Sequence, residues 1–285
     1  MELPSRIQLF WALFVFRYLR TIMSMFIYLL TKPTPIQSPS KFSCKDVTVI
    51  IPTTFKSPPE LIGCLHSVTA CSPSAIFIVT SNNNFELVER CCHDNAFYVT
   101  ILGVSKLDKR KQILKAMPLV TTPICVLADD DVHWPTRFLE YLLAIFEDPK
   151  VGAGGARQRV HRNENPDGWN FLAISYLERR VWNNLATNTL DGSISTLSGR
   201  TAAYRTEILQ TNEFSDYFLN DTFFGKALNS DDDKCLTRYL YSHGWKLPSN
   251  QTLVPLSKRQ LSPTMNTFSS ACGGLGLTFV ATSPS

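Results

Sequence analysis

The tightest constraint on this chain is an alternation that runs through its first half. Apolar runs rich in β-branched residues stop at polar turns, and segments with helical spacing stand between them. "DVTVIIPTT", Asp46 to Thr54, is the first run and breaks at Pro52, as suits a buried strand. "PPELIGCLHSVTAC" then places Leu61, Leu65 and Val68 at helical spacing. "AIFIVTSNNN" reads as a second strand closing in a polar turn, and "FYVTILGV" as a third. "KRKQILKAM" is a helix with a basic start, and "PICVLADDD" a fourth strand. "PTRFLEYLLAIFED" predicts a strong helix with Pro135 in its first turn, where a missing N–H is tolerated. Such alternation predicts an α/β fold, with a mainly parallel sheet covered by helices on both faces. Beyond it, "VGAGGARQRV" reads as a strand and "WNFLAISYLERRVWNNL" as a long helix. "DGSISTLSGRTAAYR" is turn-rich and leads to a short helix from Thr206, and "CLTRYLYSHGW" forms the last helix.

The amino terminus is different in kind. "IQLFWALFVFRYLRTIMSMFIYLL", Ile7 to Leu30, is long enough to cross a bilayer but carries Arg17 and Arg20 near its middle. Charges there are costly unless they snorkel or find partners. One reading is a spanning helix packed on others; the other is an amphipathic helix lying in the interface. A signal peptide fits poorly, because the apolar core is interrupted and no A-x-A-like site follows. "TKPTPIQSPSK" then reads as an extended linker.

A net charge of +4 with scattered Lys and Arg gives no basic stripe interleaved with aromatics, which argues against a nucleic-acid partner. The eight cysteines form no C-x-x-C, and the reading is reduced, buried thiols.

Ligands of open parallel sheets collect beyond the carboxyl ends of the strands, where "LADDD" puts Asp129, Asp130 and Asp131. Asp129 and Asp131 can both turn toward one point above the sheet edge. Hard cations such as Mg²⁺ or Mn²⁺ take one or two carboxylates plus substrate phosphates. The competing reading is an acidic helix cap, but a cap needs one carboxylate rather than three. Lys109, Arg110 and Lys111 oppose the dipole of the helix they begin, which suggests a bound anion; solvated surface charge is the alternative. In "NSDDDKCLTRYL" the acids complement a helix dipole, and the functional reading needs Asp232 or Asp233 in a cleft as a proton acceptor. Ser198 and Gly199, in "SGRTAAYR", can bring backbone close to a ligand. His133, His161 and His243 are scattered and read as surface or packing residues.

In their order and separations, "KPTPI…DVTVIIPTT", "LADDDVHWP", "GGARQRV", "SGRTAAYR" and "DDKCLTRYL…GWK" resemble a processive family 2 glycosyltransferase. They look most like the fungal polysaccharide synthases related to capsular polysaccharide and hyaluronan synthases. The resemblance implies a GT-A (Rossmann-like) domain over 45–256, after a membrane-associated helix (1–31) and a linker (32–44), and before an irregular, disordered tail (257–285). It implies a catalytic domain facing the cytoplasm and taking a UDP-sugar, with Pro52, Thr53 and Thr54 by the uridine. Lys109, Arg110, Asp129 and Asp130 would hold the nucleotide sugar, and Asp129 with Asp131 the Mg²⁺ or Mn²⁺. Ser198, Gly199 and Arg200 would lie near a polysaccharide acceptor. Asp232 and Asp233 map to the acidic pair that carries the base, with Asp233 the expected base and inversion the outcome. Membrane lipid is the remaining implied partner. The alternatives are a non-catalytic nucleotide-sugar-binding remnant and a nucleotidyltransferase, which leaves "SGRTAAYR" unexplained.

Two departures stand out. The second strand ends "VTSNNN" where many relatives place an aspartate for the uracil, and the family's Q-Q-x-x-R-W motif is missing. Phe268 to Leu277 could, however, be encoded TTC AGC AGT GCC TGC GGT GGG CTA GGA CT. Read from the last C of the first codon, that string gives Q-Q-C-L-R-W-A-R-T, the missing motif with its spacing. A frame-shifted or misassigned gene segment is therefore expected.

Overall fold

The computed structural model describes residues 5–32, 34–156, 159–161, 168–228, 231–250 and 258–260. Helix α1 (Arg6–Leu30) starts at a capping box: the Ser5 hydroxyl accepts from the Gln8 N–H while the Gln8 side chain accepts from the Ser5 N–H. Then come β1 (Val47–Pro52), α2 (Pro58–Ala70), β2 (Ala75–Ser81), α3 (Phe85–Asp94), β3 (Thr100–Val104), α4 (Lys109–Ala116), β4 (Ile124–Ala128) and α5 (Phe138–Leu143). The second half holds β5 (Ala153–Ala156), β6 (Arg159–His161), α6 (Gly168–Asp191), β7 (Thr201–Arg205), α7 (Thr206–Leu209) and α8 (Asn212–Leu219). A small hairpin of β8 (Thr222–Phe223) and β9 (Lys226–Ala227) leads to α9 (Asp232–Ser242), β10 (Ser249–Asn250) and β11 (Lys258–Gln260).

One sheet runs in the order β10-β5-β7-β4-β1-β2-β3. Neighbours pair in parallel except β7, which is antiparallel to both β4 and β5. Alternation along β1 divides the core: Val47, Val49 and Ile51 pack with α2 and α5, while Ile50 packs with Ile113 of α4 and with α8 and α9. The sheet is thus covered on both faces, as the alternation required.

Three local expectations change. The helix expected from Pro135 begins only at Phe138 and runs six residues before tightening into a 3₁₀ turn. Upstream, Val132 and Trp134 are buried, the indole stacks on Phe138 at 4.8 Å, and its N–H donates to the Thr201 hydroxyl; burying both side chains holds the chain out of the helix. "TAAYR", expected among turns, is the fully buried strand β7. The basic start of α4 faces no free helix end, because the Asp108 carboxylate accepts from the N–H groups of Arg110 and Lys111.

Helix α1 is exposed along most of its length and is, among the described residues, the one helix long and apolar enough to cross a membrane. Its end rests on α6, with Tyr28 5.7 Å from Trp182 and the Thr31 hydroxyl 3.4 Å from that of Thr189. Among the described residues that follow, no helix or strand stands before Cys44, and the Lys41 N–H donates to Glu147 at 2.7 Å. All seven described cysteines are free and most are buried. The stretch Phe268 to Leu277, for which a shifted reading frame is expected, lies outside the described residues, whereas Lys258–Gln260 pairs in parallel with β6.

Candidate active site

The parallel strands β1 and β4 end on the same edge of the sheet, and the reversed β7 begins there. Ala128 stands opposite Thr201, so the residues after β4 meet the residues before β7. The Asp129 N–H donates to the Arg200 carbonyl at 2.9 Å and welds the two loops together. The start of α9 closes the third side: Asp231 takes a left-handed backbone at its N-cap, and Asp232 and Asp233 open the helix. The result is a cleft of about 320 Å³ whose lining includes Lys109, Asp129, Ser198, Gly199, Arg200, Asp232 and Asp233.

Lys109 is the electrostatic centre. Its ammonium lies 2.8 Å from Asp129 Oδ1, 3.3 Å from Asp232 Oδ2 and 3.3 Å from the Gly199 carbonyl. Burial pulls its pKa down, but Asp129 and Asp232 outweigh burial and hold it above the ordinary lysine value. Asp232 is raised above the usual carboxylate value because burial, with the charges of Asp233 and Asp129, outweighs the lowering by Lys109. Asp233 is placed differently. Its Oδ1 accepts the Lys234 N–H at 2.8 Å, and its other face abuts Gly199, where an added Cβ would stand 3.4 Å from Oδ2.

The expected donor end is held by hydrogen bonds rather than by the cleft lining. Thr53 donates its hydroxyl to Asp130, and the Asn84 amide donates to the Thr54 carbonyl. Burial raises the Asp130 pKa, and the charges of Asp131 and Asp129 add to that, against the Thr53 hydrogen bond. Pro52 is the last residue of β1, and half-buried Asp131 sits in the turn after β4, outside the cleft lining. Arg110, expected with the nucleotide sugar, is not brought to the cleft. It is buried, donating to the Phe218 carbonyl at 2.7 Å and to Asp221 at 3.0 Å. The cause is helical geometry: consecutive side chains of α4 point in different directions, so Lys109 faces the cleft and Arg110 the core.

Sequence reasoning missed three contributors. The buried Gln112 amide donates to the carbonyls of Thr53 and Val79, clamping the ends of β1 and β2; a lone glutamine on the apolar face of α4 was its signal. Arg180 and Asn184 of α6 also line the cleft, and their spacing of one helical turn was legible.

Two carboxylates at the end of β4 suit a hard divalent cation that draws its remaining ligands from a diphosphate. No group of three or more His, Cys, Asp or Glu side chains stands ready to enclose a cation among the described residues.

The family model described as "Glycosyltransferase like family 2" matches residues 45–255, nearly the whole of this sheet and its cleft. The chain belongs to that family. It is 41% identical over 242 residues to a type 2 glycosyltransferase of Zymoseptoria tritici, covering 84% of this chain and 51% of that protein. It is 26% identical over 208 residues to the hyaluronan synthase of Streptococcus pyogenes, covering 70% of this chain and 49% of the synthase. The chain thus spans about half the length of these curated relatives. Among solved structures, the fold resembles a mannosyltransferase from Pyrobaculum calidifontis in complex with GDP-Man and Mn²⁺, at a TM-score of 0.57 and 16% identity, over 87% of this chain and 68% of that one. It also resembles TarS of S. aureus in complex with UDP-GlcNAc, at a TM-score of 0.51 and 13% identity, over 78% and 60% of the two chains. At these identities the likeness shows a shared GT-A-like fold.

Proposed function

We propose that this family 2 glycosyltransferase transfers a sugar from a UDP-sugar to a growing polysaccharide at the surface of a membrane, with inversion at the anomeric carbon. The observation that carries the reading is one cleft that gathers Lys109, Asp129 and the Asp232/Asp233 pair from three separate elements. The solved neighbours with GDP-Man and UDP-GlcNAc support a nucleotide-sugar donor.

In this reading Pro52, Thr53 and Thr54 flank the uridine, and Asp130 orients Thr53. Lys109 meets the diphosphate. Asp129 and Asp131 would hold Mg²⁺ or Mn²⁺, which when bound supplies positive charge for the departing diphosphate. Ser198, Gly199 and Arg200 form the acceptor side. Asp233 is the base: its Oδ2 faces the Gly199 loop, and Lys109 engages Asp232 instead. The acceptor hydroxyl gives its proton to Asp233 while its oxygen bonds to the anomeric carbon from the face opposite UDP. The bond to the diphosphate oxygen breaks, and configuration inverts. Helix α1 holds the cleft at the cytoplasmic surface of the membrane.

The test is UDP release from a panel of UDP-sugars with Mn²⁺, comparing this chain with Asp233→Asn. A fall of at least a hundredfold supports the base, in line with the ~10²–10⁴-fold typical of such catalysis. Equal rates would instead favour a nucleotide-sugar-binding remnant. The out-of-frame origin of the tail is proposed alongside it, and the gene's nucleotides decide: any codons other than TTC at Phe268, AGC at Ser269, AGC or AGT at Ser270, TGC at Cys272 and GGT at Gly273 reject it.

A further inference from the structure

Lys109 makes contacts that a simple phosphate-binding lysine would not need. An ammonium has three donors, and here it reaches three acceptors on three elements: Asp129 after β4, Asp232 at the start of α9, and the Gly199 carbonyl before β7. Capping of α4 does not require it, because Asp108 already serves that helix end. The three side chains are half-buried, at 32%, 30% and 19% exposure, so water screens the cluster incompletely. Lys109 therefore acts as the local counter-charge that lets the carboxylates share one cleft.

Such a role conflicts with metal binding on the same oxygen. An ammonium 2.8 Å from Asp129 Oδ1 and a divalent cation on that carboxylate would repel each other. A diphosphate resolves the conflict, since it offers the ammonium a denser negative partner, and the long, flexible lysine stem lets the head move. We propose that Lys109 is a movable counter-ion: it occupies Asp129 until a nucleoside diphosphate draws it off, so that diphosphate and divalent cation load together and the cation alone is held off. This rests on the donor reading above and adds to it a residue that sets the order of loading.

The experiment is calorimetric titration of Mn²⁺ into the full chain in detergent, with and without saturating UDP. Wild type, Lys109→Met, Lys109→Gln and Lys109→Arg are compared, each checked for an unchanged melting temperature. Lys109→Gln keeps a neutral N–H donor, on a side chain one atom shorter, should Lys109→Met fail to fold. The expected result is Mn²⁺ alone binding roughly tenfold tighter to Lys109→Met or Lys109→Gln than to wild type, while Lys109→Arg stays near wild type. By the same linkage, the factor by which UDP tightens Mn²⁺ shrinks in the two neutral variants. Unchanged or weaker Mn²⁺ binding to the neutral variants overturns the proposal while leaving the donor reading intact. No Mn²⁺ binding to any of the four chains, even with UDP, overturns both.

Discussion

Gly199 lies against Asp233: a Cβ on the glycine would stand 3.3 Å from the aspartate's own Cβ and 3.4 Å from its Cγ. That distance is tighter than ordinary van der Waals contact, so a methyl group there displaces the carboxylate by a few tenths of an ångström. Gly199→Ala therefore tests Asp233 without touching its chemistry. A misplacement of ~1 Å can cost ~10²-fold in rate. The expected outcome is a kcat lowered at least tenfold, with donor affinity and melting temperature close to wild type. A rate within twofold of wild type would mean that the contact is slack and Asp233 is not held for catalysis.

The pair Arg110–Asp221 predicts the opposite pattern. Arg110 and Asp221 are 5% and 8% exposed, and Arg238 adds a second cation to the same carboxylate at 2.7 Å. Asp221→Asn leaves a buried guanidinium without its counter-charge, which costs about 3–5 kcal/mol. The melting temperature should fall by roughly 10 °C, since each kcal/mol moves a chain of this size by about 2–4 °C. Mn²⁺-dependent UDP binding, measured below the transition, should stay near wild type, because neither residue lines the cleft.

Arg110 also marks where the sequence ceases to be legible. "KRK" offers adjacent cations, and nothing local tells which one turns inward; the answer lies in Asp221 and Phe218, a hundred residues away. The strands β1 and β4 were readable because each is a continuous buried apolar run with a polar stop, and Asp129 followed from its place beyond β4. β7 was not readable, since "TAAYR" has no strand period. Its small residues are required by neighbours: Ala202 and Ala203 pair between β4 and β5, opposite Gly155 and Gly154. The early start of the helix at Pro135 was a sound local inference, overridden by burial of Val132 and Trp134.

Asp232 gives the chain a pH signature. Its pKa is raised, chiefly by burial and then by Asp233 and Asp129 acting against Lys109. A carboxyl raised in the folded state favours folding fully below its unfolded pKa, and that contribution is lost as pH rises through the folded pKa. At neutral pH the ionised group is thus a net cost. Asp232→Asn should raise the melting temperature at pH 7, and the gain should fade as pH falls through the raised folded-state pKa and vanish below the ordinary carboxylate range, where the wild-type carboxyl is protonated. A gain that persists unchanged at low pH would place the stabilisation elsewhere.

Helix α1 carries the last prediction, through the direction in which its arginines face. Arg17, Arg20, Ser24, Tyr28 and Thr31 recur at three- or four-residue spacing and so share one side of the helix. On that side Ser24 is buried and Tyr28 and Thr31 meet α6, so this end of the polar stripe is turned toward the folded domain, while Arg17 and Arg20 farther along it are exposed. The opposite side presents Trp11, Val15, Ile22, Phe26 and Leu29, each more than half exposed. Lipid should therefore cover the second stripe, while the arginines stay on the protein side. Val15→Asp with Ile22→Asp places two carboxylates in that layer, at about 2.5–3.5 kcal/mol apiece if they reach the bilayer centre. The double variant should lose flotation with phosphatidylcholine vesicles in a sucrose gradient, whereas Arg17→Gln with Arg20→Gln should float like wild type. Release by the arginine substitutions, with retention by the aspartates, would mean that the helix meets the membrane with its other face.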